Sequence, residues 1–290
     1  MRKSKRWVAF FLLLLPAYAC SAAETRDFLL KTLGPASEQR GDRILYRLPR
    51  TDLNLLIAGT PLEPGMGLEN RFEFQPGEKT ARLRGRLLLM DAEIPKILDL
   101  LGRRHWKVGG LSHCLLGESP AVKFLQFEAE GSSSNLAEGI RELLSSLGQA
   151  LPVATPALPA APDAVFQKQA DSLLGQGEWK GRVFCLTLEA PGNTLNPGAT
   201  GDNPPVSGDF YLQKTTEGAL AIGNLVLPPD EAEGLFQTLS ANHLELTSWV
   251  REPAGEGPAR IRLIFLGKGS LEELAKGLNA LRDQWKSLSK

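Results

Sequence analysis

The sequence predicts an α+β protein built as a tandem duplication of one lobe, each lobe with a mostly antiparallel sheet covered by helices. Three observations predict this class. The chain has 290 residues, a length typical of about two domains. It contains a long internal repeat, and each copy shows the order strand–helix–strand–strand–helix. With 42% hydrophobic and 23% charged residues, the composition excludes a disordered chain, a collagen-like fibre and a multi-span membrane protein.

The repeat is found by shifting the sequence along itself. A shift of 138 residues aligns 72–144 with 210–282 without a gap, and roughly 20 of the 73 aligned pairs are identical. A period of this length indicates two copies of a domain-sized unit rather than a solenoid of short repeats. We therefore expect a first repeat over residues 24–148, an extended Ala/Pro linker over 149–162 and a second repeat over 163–290.

Each repeat is expected to open with a short amphipathic helix and continue with strands. The helices are predicted over residues 26–33 and 164–174, the first strands over 43–48 and 182–188, and the strands that lead into the next helix over 82–89 and 220–227. These last strands have mixed and apolar character, which is typical of strands that are buried in a sheet.

The next helix is identified by its spacing. Its apolar residues recur at i, i+3, i+4 and i+7, which places them on one buried helical face. The helix is predicted over residues 91–104 and again over 230–242. Its apolar face is formed by Ile94, Ile97, Leu98 and Leu101 in the first copy and by Ala232, Leu235, Phe236 and Leu239 in the second.

A hairpin and a final helix are expected to close each repeat. The hairpin strands are predicted over residues 106–114 and 121–127, and over 244–250 and 259–266. The final helices carry Leu136, Ile140, Leu143 and Leu147 in the first copy and Leu274, Leu278, Leu281 and Trp285 in the second. Sequential strands joined by short turns favour antiparallel pairing, with the helices on one face of the sheet.

His105 and His243 are repeat equivalents, which raises the idea of a paired metal site. Each lies at the end of an amphipathic helix, after Arg104 or Asn242. This is the position that ends a helix in a left-handed conformation, where histidine is enriched among non-glycine residues. We therefore interpret both histidines as helix ends rather than ligands.

The N-terminus predicts export. Residues 1–6 are basic, and residues 7–19 are an apolar run shorter than the roughly 20 residues that span a bilayer. The run ends in Ala17-Tyr18-Ala19, so residues 1–19 are predicted to be a signal peptide. We expect the protein to lie in the periplasm or cell envelope. Two outcomes stay open for Cys20: ordinary cleavage, or lipid attachment, which would be the only membrane contact.

The net charge, the cysteines and the absence of known motifs limit the classes of function that the sequence supports. Loss of the leader leaves 29 basic against 33 acidic side chains, a net charge of −4, which argues against a nucleic-acid partner. Cys114 and Cys185 could form one disulfide or stay free. The chain has no P-loop, dinucleotide, zincin or nucleophile-elbow motif, so phosphate cradling, hydride transfer, zinc proteolysis and hydrolase chemistry lack support.

Residues 111–120, Leu-Ser-His-Cys-Leu-Leu-Gly-Glu-Ser-Pro, follow an amphipathic helix and precede a Phe-rich strand. Together with Pro-Arg-Thr-Asp-Leu at 49–53 and Gly-Arg-Leu-Leu-Leu at 85–89, they resemble the LppY/LpqO-type exported bacterial proteins. That family is a duplicated domain of unknown function, and several members are lipoproteins. The resemblance covers roughly residues 40–148 and, more faintly, 180–285.

The resemblance also points to a site. Family members read His-Asn-His-Leu-Leu-x-Glu-x-Pro, and two histidines at i and i+2 on a strand share one face, as a metal or acid–base pair would require. Here the two histidine positions hold Ser112 and Cys114, the asparagine position holds His113, and only Glu118 and Pro120 keep the pattern.

We therefore name Ser112, His113, Cys114 and Glu118 as candidate binding residues and assign no catalytic or metal-ligating residue. The sequence favours an exported, non-catalytic binding or envelope-associated protein that takes an unknown small molecule or envelope component and no cofactor. Its site is expected in the groove between the lobes or at the Ser112–Glu118 strand end. The alternative is a metal-dependent envelope enzyme in which His113, Cys114 and Glu118 are altered ligands of a divalent metal.

Overall fold

The computed structural model describes residues 22–40, 43–77, 80–149, 161–175, 177–189, 206–252 and 259–288. The predicted signal peptide, Cys20 and residues 150–160 of the predicted linker lie outside the described residues. The protein is an α+β molecule of two lobes, as the sequence predicts, and each lobe has one six-stranded antiparallel sheet with helices on one face. No helix in the described ranges is long and apolar enough to cross a membrane.

The first lobe alternates helices and strands in the predicted order. Its elements are α1 (Ala22–Leu33), β1 (Glu38–Arg40), β2 (Arg43–Pro49), β3 (Leu56–Ile57), β4 (Thr60–Pro61), β5 (Glu69–Pro76), β6 (Ala81–Met90), a 3₁₀ turn (Asp91–Glu93), α2 (Ile94–Arg103), β7 (Lys107–His113), β8 (Glu118–Ser119), β9 (Val122–Gly131) and α3 (Ser133–Ser146). The main sheet has the order β1-β2-β5-β6-β9-β7, and β4-β3-β8 form a small second sheet.

The second lobe repeats the main sheet. Its elements are α4 (Ala164–Leu174), β10 (Glu178–Lys180), β11 (Val183–Glu189), β12 (Ser207–Lys214), β13 (Ala219–Leu227), α5 (Pro229–Gly234), α6 (Phe236–Ala241), β14 (Leu244–Arg251), β15 (Ile261–Gly269) and α7 (Leu271–Leu288). The order β10-β11-β12-β13-β15-β14 matches that of the first lobe strand for strand. The predicted hairpins are present as the pairs β7–β9 and β14–β15.

Several helix ends follow from local chemistry. The side chain of Ser132 accepts the backbone N–H of Asn135 at the start of α3, and Asp163 accepts two backbone N–H groups at the start of α4. Both are favoured N-cap residues because they satisfy backbone donors that have no partner inside the helix. His105 and His243 have φ angles of 55° and 54°, which confirms their left-handed conformation at the ends of α2 and α6.

The helix predicted over residues 230–242 differs from the structure. It is divided into α5 and α6 at Leu235, whose backbone N–H bonds to the carbonyls of Ala232 and Glu233 instead of continuing a regular ladder. Gly234 lies next to the break, and glycine costs about 1 kcal/mol relative to alanine inside a helix. Ala232, Leu235 and Leu239 are buried as predicted, but Phe236 is 40% exposed and packs against Trp249 on β14. On α2, Leu98 is likewise 39% exposed, so the predicted apolar faces are wrong at these two positions.

The two sheets pack face to face, which the sequence analysis did not anticipate. In each lobe the helices pack on one face of the sheet, and the opposite face packs against the sheet of the other lobe. The apolar centre between the sheets is formed by residues of both lobes, among them Leu88, Phe124, Cys114, Cys185, Tyr211 and Ile264. The order of layers is therefore helices, sheet, sheet, helices, and the two cavities described below are each lined by residues of both repeats.

Candidate functional site

A cleft of about 570 Å³ opens between the lobes on the side of their first strands. This volume is within the roughly 300–1,000 Å³ that small-molecule sites occupy. The first lobe contributes the segment before β1 together with β2, and the second lobe contributes β10, β11 and β12. The cleft exists because the two sheets stack, and the sequence-based prediction of a groove between the lobes corresponds to this position.

The floor of the cleft is an ion-pair cluster that joins the lobes. Arg47 Nη1 lies 3.2 Å from Glu69 Oε1 and 3.1 Å from the Tyr211 hydroxyl, and Arg47 Nη2 lies 3.4 Å from Asp209 Oδ2. The Thr187 hydroxyl donates to the other Asp209 oxygen at 2.9 Å. Burial by itself would raise the pKa of Asp209, but the Arg47 charge and the Thr187 hydrogen bond contribute to holding that pKa below its ordinary value.

The walls of the cleft are largely apolar. Leu33, Pro35 and Leu48 line it from the first lobe, and Trp179 and Leu186 line it from the second. The Trp179 indole N–H donates to Asp171 at 2.9 Å, which fixes the ring against the second lobe. A few placed polar groups on an apolar surface are typical of ligand-binding pockets.

The sequence-predicted site residues lie elsewhere, at the end of β7 and in the turn after it. Ser112 and His113 are cross-strand partners of Phe124 and Lys123 on β9. Ser112 is half-buried and His113 is exposed. Consecutive strand residues point to opposite faces, so these two side chains do not converge on one ligand.

Cys114 is fully buried among the apolar residues between the sheets. Its backbone carbonyl accepts the Thr247 hydroxyl of the second lobe at 3.1 Å. Burial raises the pKa of the Cys114 thiol well above its ordinary value, so the thiolate that a nucleophile or metal ligand requires is disfavoured. Cys185 is buried in the same cluster with a pKa raised to about 12, and both cysteines are free thiols.

Glu118 has a local partner. Its Oε1 accepts the backbone N–H of Val122 at 3.2 Å across the turn between β8 and β9, and its backbone pairs with Ile57. This hydrogen bond accounts for the position of the Glu118 side chain without a ligand. Its repeat equivalent, Glu256, lies outside the described residues. Across the described ranges, no three His, Cys, Asp or Glu side chains form a group that could hold a metal ion.

Arg50, in the Pro-Arg-Thr-Asp-Leu segment that carried the family resemblance, is a buried structural residue. Its guanidinium lies 2.7 Å from Asp52 and 2.8 Å from Glu93, and it donates to the Leu88 carbonyl at 2.6 Å. Glu93 Oε2 also accepts the Met90 backbone N–H at 2.8 Å. The segment therefore joins β2 to the start of α2, and of its residues only Pro49 lines the cleft.

The residues that form the cleft were missed by the sequence analysis. Arg47 and Asp209 are charged residues within strands, where a single sequence suggests a solvated face. One signal was present in the sequence: Arg71 and Asp209 are equivalent under the 138-residue shift and carry opposite charges. Opposite charges at equivalent positions can pair when the two repeats pack against each other around a pseudo-two-fold axis.

The comparisons with known proteins give one match to a family model, and that model carries no function. A family model described as Domain of Unknown Function (DUF1259) matches residues 29–146, which is the first lobe and less than half of the chain. No curated protein is a significant match.

Solved structures similar to the chain come from several kinds of protein. A trimeric bacterial microcompartment shell protein, PduB, is 11% identical over 86% of this chain and 88% of its own, with a TM-score of 0.21. The fused permuted hexameric shell protein MSM0275 of the RMM microcompartment is 12% identical over 85% and 97%, with a TM-score of 0.20. TP0453 is 15% identical over 73% and 80%, also with a TM-score of 0.20. These scores are too low to establish a shared fold.

Proposed function

We propose that the protein is an exported, non-catalytic binding protein that holds a small molecule or a piece of an envelope component in the cleft between its lobes. The observation that carries this proposal is the cleft itself, with its volume of about 570 Å³, apolar walls and charged floor contributed by both repeats. Export to the periplasm or cell envelope rests on the N-terminal leader, and membrane association rests on a lipid at Cys20.

Binding is favoured over catalysis by the state of the reactive side chains. The Cys114 thiol is buried with a raised pKa, His113 is exposed on the strand end, and Glu118 Oε1 is bonded to the backbone N–H of Val122. A nucleophile needs an adjacent base and a base needs a free acceptor near the substrate. The resemblance to the LppY/LpqO-type proteins, with both family histidine positions replaced, supports the same interpretation.

The charge of the cleft favours a neutral or cationic ligand. Arg47 is already paired with Glu69 and Asp209, so it has little positive charge to offer. The acidic residues of the lining outnumber the basic ones: Glu38, Glu69, Glu178 and Asp209 against Arg47 and Lys180. A ligand with an apolar body that packs on Trp179 and a polar or basic end near the acidic residues matches this surface.

The test is native mass spectrometry of the protein isolated from its own envelope without tag or chelator. We expect a stoichiometric mass above the chain, and the N-terminal mass reports on the Cys20 lipid. Thr187→Trp, at an exposed strand position in the cleft, should fill the site and remove that mass. Lys107→Trp, at an exposed position on β7, is the matched control and should keep it. A bare wild-type chain, or ligand retained by Thr187→Trp, would contradict the proposal.

A further inference from the structure

A second, smaller cavity of about 50 Å³ lies between the sheets, apart from the cleft. It is large enough to hold more than one water molecule or one small ion. Both lobes contribute to it. The side chains that matter for its chemistry are Arg71, Arg84, Arg86, Gln126, Glu252 and Arg262.

The positive charges of the arginines around this cavity outnumber the negative charges of the carboxylates. Three of its four arginines contact a carboxylate: the pairs are Arg71–Glu73 at 3.7 Å, Arg84–Glu128 at 3.2 Å and Arg262–Glu252. The fourth, Arg86, makes no ion pair with any residue in the described ranges. The lining therefore carries four guanidinium groups against three carboxylates, an excess of one positive charge.

Arg86 is also short of hydrogen-bond acceptors. Only 5% of the residue is exposed, and its Nε and Nη1 atoms have no partner among the described residues. Its guanidinium lies 4.3 Å from the centre of the Phe124 ring, which attracts the charge but leaves the in-plane N–H donors unsatisfied. Burial, together with the Arg262 and Arg71 charges, lowers the pKa of Arg86 to about 9, as expected for a cation without a counter-charge.

Gln126 supplies the complementary group. Its Nε2 donates to Glu252 Oε1 at 2.9 Å, which leaves Oε1 as a buried acceptor without a partner in the described structure. Buried polar atoms in native proteins are almost always satisfied, so two unpaired donors and one unpaired acceptor on residues that line the same cavity point to a missing occupant. The residues that line the cavity therefore carry an excess positive charge, two N–H donors and one acceptor without partners.

We infer that this cavity binds one small protonated oxyanion, an anion that carries both acceptor oxygens and an O–H group, such as dihydrogen phosphate or hydrogen carbonate. The Arg86 Nε and Nη1 groups donate to its oxygens, and its O–H donates to Gln126 Oε1. The single negative charge balances the excess at the lining. The three existing ion pairs stay intact, and the site is independent of the ligand proposed for the cleft.

Isothermal titration of inorganic phosphate into the full mature chain tests this site, at a mildly acidic pH where the dihydrogen form predominates. We expect one phosphate per chain. Sulfate, which carries two negative charges and has no O–H for Gln126, should bind at least about tenfold more weakly, because it overcompensates the charge of the lining and leaves a buried acceptor unsatisfied. Arg86→Met should weaken phosphate binding by at least about tenfold through the loss of two charged hydrogen bonds.

The matched control is Arg82→Gln on the same strand, where the side chain is 53% exposed and does not line the cavity. It should bind phosphate as the wild type does. No phosphate binding by the wild type, or equal binding by the wild type and Arg86→Met, overturns the inference and leaves water as the occupant. If Arg86→Met does not fold, Gln126→Leu decides, since it should reduce the preference for phosphate over sulfate to the part that comes from their different charges. An undiminished preference in Gln126→Leu overturns the assigned geometry.

Discussion

Gly85 and Gly223 are repeat equivalents that lie directly beneath a phenylalanine ring of the neighbouring strand. Gly85 is paired with Phe127, and Gly223 is paired with Phe265. A Cβ atom at either glycine would lie 2.0 Å from the ring of its partner. Both repeats have the same glycine–phenylalanine pair. In each pair the glycine leaves the space that the ring occupies on the helix-facing side of the sheet.

We predict that Gly85→Ala lowers the free energy of unfolding by about 1–3 kcal/mol, the usual cost of overpacking a core. The Phe127 ring cannot move aside easily because Trp106 stacks on it with centroids 5.4 Å apart. Urea unfolding followed by circular dichroism measures the loss. Gly131→Ala is the control, since a Cβ there meets nothing within 4 Å, and it should change stability by less than about 0.5 kcal/mol. Equal losses in both variants would contradict the packing argument.

The surroundings of the candidate site residues could not be inferred from the residues of one repeat. Cys114 and Glu252 are repeat equivalents under the 138-residue shift. The first is a fully buried thiol, while the second is a buried carboxylate that pairs with Arg262. The motif draws attention to these two equivalent positions, but the binding site predicted there stays a prediction. Part of their surroundings comes from the opposite lobe, Thr247 for Cys114 and Gln126 for Glu252, and the sequence of one repeat carries no information about these partners.

Two β-bulges at equivalent places align the edge strands with the interface. The register between β7 and β9 shifts between Val108 and Gly110, and that between β14 and β15 shifts between Leu246 and Ser248. The extra residue is Gly109 in one lobe and Thr247 in the other. A bulge redirects the side chains that follow it. In the second lobe, the Thr247 hydroxyl donates toward the carbonyls of Cys114 and Ile264, both at 3.1 Å, and so links the lobes.

We predict that Thr247→Val, which keeps the shape of the side chain and removes its hydroxyl, lowers the free energy of unfolding by about 1–2 kcal/mol. The Cys114 carbonyl would lose this buried hydrogen bond. Chemical denaturation gives the difference, with Thr215→Val in the turn between β12 and β13 as a matched control. A Thr247→Val protein as stable as the control would show that the link between the lobes does not depend on this hydroxyl.

Most elements could be predicted because their local patterns and their packing agree. The spacing of Ile97 and Leu101 on α2, the apolar run of β13 and the hairpin order all describe contacts within one repeat. The stacking of the sheets could not be predicted in the same way. On β6, Arg84 and Arg86 alternate with Leu83 and Leu87, a pattern that normally indicates one wet face and one buried face. Here ion pairs and cation–π contacts allow the charged face to be buried.

At the scale of the whole molecule, the interface between the sheets divides into an apolar centre and charged regions. The apolar centre provides area for association, whereas the charged groups restrict how the two sheets can align, because a displaced ion pair would leave a buried charge unpaired. Arg47 of the first lobe and Asp209 of the second show this arrangement most directly, with Arg71 and Glu69 as neighbouring charges. The same groups that form the floor of the cleft therefore hold its two sides in register.

Because of this arrangement, the free energy of unfolding is expected to change with pH in the acid range. The folded protein holds the pKa of Asp209 below its ordinary value of 3.8, so its ionised form contributes stability that is fully present above that pH. The contribution is lost as the pH falls through the lowered pKa of the folded state. We predict that Asp209→Asn is less stable than the wild type at neutral pH and that the difference narrows as the pH falls below 3.8.

Urea unfolding at a series of pH values, at constant ionic strength, measures this convergence. Asp230→Asn, at an exposed aspartate in the first turn of α5, is the control; it loses only a helix-dipole interaction of less than about 1 kcal/mol and should stay closer to the wild-type profile than Asp209→Asn. A constant difference between wild type and Asp209→Asn across the acid range would mean that the carboxylate charge adds no stability to the pairing of the lobes. The lobes would then be held together by the apolar centre and by polar links that do not involve Asp209, such as the Thr247–Cys114 and Gln126–Glu252 hydrogen bonds.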